Sequence, residues 1–264
     1  MEKYNKNMKR RGQVTIFVII GILIVALGIL IYIFYPKLQS TLGFGDERPS
    51  VYLQKCIEEK VSESVEILSS QGGSIEPENY YLYKDDKIEY LCYNEEYYLP
   101  CIMQKPMLKN SIEEEIKKNI EDDFATCLKN MDESFKKRGY QVKREAGEIG
   151  IELLPNIISL YFEGKIVLTK GEDVKTYDSA KVVITNNLYE MISIANSILN
   201  WEATYGDAET TTYMNYYHDL KVEKYKQSDG TTIYILTNRD TGEKFQFASR
   251  SIAWPEGYEG GEFR

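Results

Sequence analysis

The chain has 264 residues, 43% of them hydrophobic and 28% charged, and a formal net charge of −9. The acidic balance argues against nucleic acid as a partner, because nucleic-acid binding needs a basic surface. A single histidine excludes a histidine-rich metal site, and the sequence contains no glycine-rich phosphate loop of the Walker or dinucleotide type. We therefore expect no cofactor and no metal.

The N-terminal region combines a basic tail with an uncharged apolar run from Val14 to Tyr35. About 22 residues at ~1.5 Å each give roughly 33 Å of helix, enough to cross a ~30 Å hydrocarbon core. Residues 1–13 carry a net charge of +4, which leaves −13 for the remainder. Positively charged flanks stay in the cytoplasm. The sequence therefore predicts a cell-membrane protein with a cytoplasmic tail (1–13), one transmembrane helix in the lipid bilayer (14–35), and the rest outside.

The apolar run has the features of a retained anchor. A cleaved secretory signal has an apolar region of only ~7–15 residues and a small-residue cleavage site. This run is longer, and it leads into Phe34, Tyr35 and Pro36, which is typical of an aromatic belt at a membrane surface. Gly21 and Gly28 share one helix face, and small residues on a face let two spans approach closely. This face is a candidate interface for homo-oligomers.

The segment Arg10-Arg11-Gly12-Gln13-Val14-Thr15-Ile16-Phe17 resembles the start of archaeal class III signal peptides, the leaders of type IV pilin-like proteins. The resemblance implies cleavage by a prepilin-type peptidase between Gly12 and Gln13. It also implies that the apolar helix is kept and packs into a filament core. The family usually has Glu at the position of Phe17, where it helps to register subunits. A plain membrane anchor is the alternative.

All four cysteines lie beyond the apolar run, and an even number of cysteines outside a membrane predicts two disulfides. Cys56 and Cys127 each fall in an apolar helical repeat, and the two helices must bury these faces, most simply against each other. Cys92 and Cys101 flank a predicted hairpin. We therefore predict the pairs Cys56–Cys127 and Cys92–Cys101. The spacings do not match structural zinc sites, so free buried thiols are the stronger alternative.

The predicted ectodomain is α+β and has two units behind a stalk at 36–49. The first unit, 50–139, is a helix, a hairpin and a second helix. Ser111 and Glu114 are predicted to form a capping box at the start of the second helix. The second unit, 140–254, is a mainly antiparallel sheet with one helix packed on it. Residues 255–264 form a loose tail.

The second unit contains two local signals. The runs Ile157–Phe162 and Lys165–Thr169 flank Glu163-Gly164, which predicts a tight hairpin. Asn187 with Glu190 is expected to cap the packed helix, which ends at Gly206. Further strands are expected at 182–184, 221–226, 231–237 and 244–248.

Tyrosine is unusually abundant, with 22 residues in the chain. Tyrosine supplies rigid contact area with a polar tip and is enriched at interfaces. We therefore identify a candidate partner surface at Tyr80, Tyr81, Tyr83, Tyr97 and Tyr98. The alternative is that these residues are simply good strand formers that tolerate half burial.

No catalytic residue can be assigned from the sequence. His218 is followed by Asp219, but adjacent side chains rarely converge into a triad. The sequence favours an anchored surface protein that is a binder and not an enzyme. It would bind a protein or a glycan, or act as a pilin-like subunit. The alternative is an extracytoplasmic hydrolase that uses carboxylates which the sequence does not identify. An enzyme would gather acids in one pocket, whereas a binder would expose its tyrosines as a patch.

Overall fold

The structure is a computed structural model that describes residues 19–26 and 48–254. The predicted tail, stalk and C-terminal segment, most of the predicted membrane helix, and the predicted processing residues Gly12 and Gln13 lie outside the described residues. Residues 19–26 are helical. Within the two described ranges, no helix meets the length and hydropathy needed to cross a membrane. The chain divides into two units at Arg48 and Pro49, and the second unit contains all the elements below.

Two long helices pack against each other as their apolar repeats predict. These are α1 (Pro49–Ser70) and α2 (Leu108–Lys137). Each buries one stripe spaced at three and four residues, which is the pattern of an amphipathic helix. The Cys56–Cys127 disulfide joins the helices, with 5.9 Å between its Cα atoms. This predicted pair is confirmed.

The start of α2 differs from the prediction. Ser111 and Glu114 do not cap the helix, because it already begins at Leu108, and the backbone N–H of Ser111 donates to the carbonyl of Met107 (3.0 Å). Leu108 is fully buried and lies one turn before Ile112 on the same stripe. Burial of this extra turn therefore outweighs the local capping signal.

The largest sheet has six strands and draws on both halves of the chain. Its strands are β1 (Tyr80–Tyr83), β2 (Asp86–Tyr93), β3 (Ile102–Met103), β10 (Leu220–Lys226), β11 (Thr231–Asn238) and β12 (Lys244–Arg250). The order is β1-β2-β12-β11-β10, with β3 paired to β2. Only the β12–β2 pair is parallel; the others are antiparallel. The predicted units 50–139 and 140–254 therefore share one sheet.

Two three-stranded antiparallel sheets complete the fold. One contains β4 (Gln141–Arg144), β7 (Ile166–Lys170) and β8 (Asp173–Tyr177) in the order β4-β7-β8. The other contains β5 (Glu148–Leu154), β6 (Ile157–Glu163) and β9 (Ala180–Thr185) in the order β5-β6-β9. The α+β class with mainly antiparallel sheets is thus confirmed.

The hairpin predicted at Glu163-Gly164 is wrong, because β6 and β7 lie in different sheets. The tight turns occur instead at Pro155-Asn156, between β5 and β6, and at Gly171-Glu172, between β7 and β8. Asn156 and Gly171 have φ values of 63° and 61°, whereas Gly164 is not among the positive-φ glycines. Two-residue hairpins need positive φ, so these two positions can reverse the chain directly.

The predicted packed helix is α3 (Leu188–Tyr205), which contacts the six-stranded sheet and is followed by the short α4 (Thr211–Tyr216). Asn187 holds the N-cap position, but among the described residues its side chain makes no capping hydrogen bond. Its amide instead donates to Glu243 (2.6 Å), while Glu190 accepts from the backbone N–H of Asn156 (2.8 Å). The predicted capping box is therefore replaced by long-range contacts. The helix ends at Gly206 in the left-handed conformation, as expected.

Candidate functional site

The Cys92–Cys101 disulfide closes the loop between β2 and β3. Its Cα atoms lie 5.3 Å apart, and both cysteines are buried. Asn94 fixes the loop from within, because its side chain accepts from the backbone N–H of Glu96 (2.9 Å) and donates to the carbonyl of Pro100 (2.9 Å). This predicted disulfide is also confirmed, and it makes the loop a rigid element.

The last described residues of the chain hold the loop from outside. The backbone N–H of Tyr98 donates to the carbonyl of Ala253 (3.0 Å), and that of Ile252 donates to the carbonyl of Leu99 (3.0 Å). Tyr98 and Ile252 both have positive φ, at 67° and 42°. Such backbone in residues other than glycine costs free energy and persists only where its surroundings enforce it. The two segments therefore hold each other in a strained conformation.

The side chain of Arg250 also contacts the loop between β2 and β3. Its side chain is largely buried, and its guanidinium donates to the carbonyls of Asn94, Glu95 (3.0 Å) and Asp229 (3.0 Å). The guanidinium also lies 5.3 Å from the centre of the Tyr97 ring. A buried charge is tolerated only when it is hydrogen-bonded, and these carbonyls meet that need. Arg250 thereby fixes the loop to the neighbouring turn.

The surface that results is an exposed group of large side chains, which we call the aromatic platform: Tyr97, Tyr98, Leu99 and Trp254. Each is between 43% and 49% exposed. The rings of Tyr98 and Trp254 meet edge to face at 5.0 Å, and those of Tyr97 and Tyr98 lie 6.4 Å apart. Exposed aromatic groups on a rigid backbone are typical of protein-binding surfaces.

The predicted tyrosines do not form one surface. Tyr80, Tyr81 and Tyr83 lie on β1, which pairs with residues 86–89 at the start of β2, whereas the Cys92–Cys101 loop follows the end of β2. Tyr81 and Tyr83 are half-buried and pack over a second small core at Ile88, Tyr90, Ile233 and Ala248. Only Tyr97 and Tyr98 belong to the aromatic platform.

The first and last strands in the order of the six-stranded sheet, β1 and β10, approach each other at this second core. The hydroxyl of Tyr81 on β1 donates to Gln227 just beyond β10 (3.4 Å), and the rings of Tyr83 and Tyr225 lie 5.9 Å apart. Lys84 lies over both of these rings, at 5.0 and 5.7 Å from their centres. These tyrosines therefore serve the packing of the sheet, in line with the strand-former alternative.

Sequence reasoning missed Leu99 and Trp254. Trp254 reaches the platform only because β12 pairs with β2 and carries the C-terminal segment to the loop. The sequence contained one signal for Trp254. It is one of only two tryptophans in the chain, and it directly precedes Pro255.

A polar cleft of about 660 Å³ lies between α1, the start of α3 and the turn from β11 to β12. Its lining includes the carboxylates of Glu66, Asp86 and Glu243 and the ammonium of Lys244. Glu243 accepts four hydrogen bonds, from the amides of Asn186 and Asn187, the backbone N–H of Asn187 and the hydroxyl of Thr241, at 2.6 to 3.2 Å. Glu243 therefore fixes the first turn of α3.

A smaller recess of about 250 Å³ lies on the other side of Met191, which lines both concavities. Its lining includes Tyr189, Tyr217, Asp219 and Asn238. The recess is mainly apolar with a few polar groups, which is the usual make-up of a small-molecule site.

The acid Glu202 is not part of either concavity. It is 1% exposed, and its carboxylate accepts hydrogen bonds from the hydroxyl of Tyr234, the backbone N–H of Ala208 (2.9 Å) and the hydroxyl of Ser249 (3.0 Å). Burial and the charge of Glu202 raise the pKa of the Tyr234 phenol. This network joins α3 to the large sheet and has no access to a substrate.

His218 is exposed, and its carbonyl accepts a hydrogen bond from Arg239 (3.1 Å). Within residues 19–26 and 48–254, no three His, Cys, Asp or Glu side chains lie close enough together to hold a metal ion. The most distinctive features of the described chain are thus the aromatic platform and the pair of concavities at the start of α3.

No known protein family, curated protein or solved structure matches this chain.

Proposed function

We propose that this chain is a membrane-anchored surface protein that binds a partner protein through the aromatic platform. The observation that carries the proposal is the exposure of Tyr97, Tyr98 and Leu99 on a loop fixed by a disulfide, by Arg250 and by backbone hydrogen bonds. Trp254, from the segment after β12, is exposed beside them. A rigid surface loses little conformational entropy on binding, so its aromatic contacts contribute more fully to affinity. The membrane anchor predicted at 14–35 and the acidic, disulfide-bonded remainder support a location outside the cell.

A hydrolase is less well supported as the function. The cleft does gather three carboxylates, which is the feature expected of a carboxylate-based enzyme. Glu243, however, is fully engaged in holding α3, and Glu66 and Asp86 are exposed to solvent. Catalytic carboxyl pairs usually rely on burial to separate the pKa values of acid and base. The geometry favours a binder.

Site-specific photo-crosslinking tests the proposed function. A photoreactive residue at Leu99, on the platform, is expected to capture one dominant partner protein in the membranes of cells that naturally make this chain. The matched control carries the same residue at Val174, an exposed apolar position on β8. Adding Tyr98→Ala to the Leu99 probe should abolish the capture. Identical products from both positions, or capture that survives Tyr98→Ala, would contradict the proposal.

A pilin-like subunit is the sharper form of this proposal. It requires cleavage between Gly12 and Gln13, as the resemblance of the N-terminal segment implies. Mass spectrometry of the native protein is expected to find a chain that begins at Gln13. Intact residues before Gly12 would instead favour the plain anchor.

A further inference from the structure

The recess at the start of α3 is a single concavity built from four elements of the fold. Tyr189 and Glu190 lie in the first turn of α3. Tyr217 directly follows α4, Asp219 directly precedes β10, and Asn238 is the last residue of β11. The recess encloses about 250 Å³, which is slightly below the usual range for drug-sized ligands and therefore suits a small molecule.

Hydrogen bonds fix the wall of the recess that carries Tyr217 and Asp219. The backbone N–H of Tyr217 donates to the carbonyl of Tyr213 (2.9 Å), and that of Leu220 donates to the carbonyl of Tyr217 (3.0 Å). The backbone carbonyl of Asp219 accepts from the N–H of Arg239 (2.7 Å), which joins this wall to the turn after β11. A ligand therefore meets a preformed site and loses little affinity to ordering of the chain.

The lining of the recess carries negative charge. Glu190 and Asp219 contribute two carboxylates, and no lysine or arginine is among the described residues that line it. Arg239 follows the lining residue Asn238, but its guanidinium donates to the carbonyl of His218 (3.1 Å). The N-terminus of α3 acts as only about half a positive charge, which two carboxylates outweigh. The recess therefore attracts a cation and repels an anion.

The carboxylate of Glu190 is only partly satisfied by the protein. Its Oε1 accepts a hydrogen bond from the backbone N–H of Asn156 (2.8 Å). Its Oε2 is buried and has no hydrogen-bond partner among the described residues. A buried carboxylate oxygen without a donor is costly, because it has lost its hydration and gained nothing in return. A positive charge in the recess would offset this cost.

The remaining lining of the recess is mainly apolar and selects the kind of cation. It includes the aromatic rings of Tyr189 and Tyr217 and the aliphatic side chains of Ile194 and Leu220. A metal ion needs several oxygen ligands, and the described ranges contain no group of three acidic, histidine or cysteine side chains that could hold one. A quaternary ammonium group needs no such ligands. Its charge lies under apolar methyl groups, and aromatic rings attract it.

We propose that the recess binds a small quaternary ammonium compound of about the size of choline. The carboxylates of Glu190 and Asp219 supply the electrostatic attraction, and the rings of Tyr189 and Tyr217 supply cation–π contacts. This ligand class goes beyond the proposed function, because the recess and the aromatic platform share no residues. The two sites can therefore be tested independently.

Isothermal titration calorimetry of the full chain with choline tests the proposal. The chain is held in dodecyl maltoside micelles, because this detergent carries neither a charge nor an ammonium group. The comparison ligand is the neutral carbon isostere of choline, in which a tert-butyl group replaces the trimethylammonium group. Choline is expected to bind, and the isostere to bind at least tenfold more weakly, since it has the same shape without the charge. Mg²⁺ at the same concentration should not displace choline.

Substitutions of two neighbouring tyrosines test the aromatic contact. Tyr217→Ala should weaken choline binding about tenfold, whereas Tyr217→Phe, which keeps the ring, should leave it nearly unchanged. The matched control is Tyr216→Ala, because Tyr216 is 79% exposed and does not line the recess, whereas Tyr217 is 52% exposed and does.

Substitutions of the acids test the charge. Glu190→Gln keeps an oxygen that can accept from Asn156 but removes the charge, and it should weaken choline binding about tenfold. Asp219→Asn, at an exposed position, should weaken binding about threefold, as expected of a solvated charge. Asp240→Asn is the matched control, because Asp240 is exposed and does not line the recess.

Four results would overturn the proposal: no binding of choline, equal affinities for choline and its neutral isostere, displacement of choline by Mg²⁺, or equal losses from each lining variant and its control. Tyr98→Ala, on the aromatic platform, should leave choline binding unchanged. None of these results would alter the photo-crosslinking result at Leu99.

Discussion

Glu202 illustrates how a buried carboxylate is kept at low cost. A charged group without partners in the interior is strongly destabilising, but three donors surround this one. Its backbone carbonyl also accepts from the hydroxyl of Ser251 (2.8 Å). The oxygen of the same hydroxyl accepts a hydrogen bond from the backbone N–H of Cys101 (2.9 Å). The network thus reaches from α3 to the disulfide that closes the platform loop.

Removing one donor from Glu202 should therefore destabilise the fold. Tyr234→Phe keeps the ring but removes its hydroxyl, so we expect the free energy of unfolding to fall by about 1–3 kcal/mol. Urea unfolding of the full chain measures the loss. Tyr216→Phe, at an exposed ring, is the control and should change nothing. A Tyr234→Phe variant as stable as the control would show that Glu202 does not need this donor.

Two buried tyrosines make the fold sensitive to alkali. Burial raises the pKa of Tyr90 to about 12, although its hydrogen bond with Thr231 acts in the opposite direction, and the pKa of Tyr234 is also raised. An unfolded tyrosine has a pKa of about 10. The stabilisation that these neutral phenols provide is therefore complete below about pH 10 and decreases as the pH rises above it.

An absorbance titration of the phenolate checks this expectation. The folded protein should show a phenolate step near pH 12 that disappears in Tyr90→Phe. Stability measured by urea unfolding should fall as the pH rises from about 10, the pKa of an unfolded tyrosine, towards 12. A single ionisation step for all tyrosines in the folded protein would contradict the burial of Tyr90.

The sequence could predict that Glu202 faces the core, although it is not an apolar residue. Glu202 lies four residues after Ile198 and three after Leu199, both on the buried stripe of α3, so the helical period placed it on the same face. Its partners could not be predicted, because Tyr234 and Ser249 lie 32 and 47 residues further along the chain.

At the scale of elements, the two disulfides should differ in what they stabilise. In the chain-entropy model, the 71-residue separation of Cys56 and Cys127 is worth about 4 kcal/mol and the 9-residue separation of Cys92 and Cys101 about 2.5 kcal/mol. We expect the double variant Cys56→Ser/Cys127→Ser to lose more stability in urea than Cys92→Ser/Cys101→Ser. The reverse order would indicate that the loop disulfide is the main constraint on the fold.

Strand edges are covered by side chains of the two long helices. The side-chain amide of Gln54 on α1 donates to the carbonyl of Val183 (2.9 Å) and accepts from its N–H (3.0 Å), at the edge strand β9. Glu113 on α2 accepts from the N–H of Leu153 (2.7 Å) at the opposite edge strand, β5. Unpaired strand edges favour aggregation, and these contacts satisfy backbone groups at both edges.

Helices and disulfides could be predicted from the sequence, whereas the pairing of strands that lie far apart in the chain could not. The apolar period of each helix is local, and it also placed Cys56 and Cys127 on faces that had to meet. The hairpin at Glu163-Gly164 failed because composition does not reveal whether a turn residue adopts positive φ. The pairing of β2 with β12 joins residues 157 or 158 positions apart, for which the sequence carries no local signal.

At the scale of the whole molecule, residues 49–254 belong to one unit that contains a shared sheet, the aromatic platform and the polar cleft beside α3. Of the platform, only Tyr97 and Tyr98 could be predicted, because Trp254 arrives through that long-range pairing. The cleft depends on contacts between Glu243 and the start of α3, across more than 50 residues. Local patterns identify the elements, and tertiary contacts build the sites.

The central claim is that the chain is anchored near its N-terminus and displays everything after the anchor outside the cell. Digestion of intact cells with an added protease, followed by detection of separate N-terminal and C-terminal tags, tests it most directly. We expect loss of the C-terminal tag while the tag on the basic tail stays intact until the cells are lysed. A protected C-terminal tag with a digested basic tail would invert the orientation and contradict the surface role.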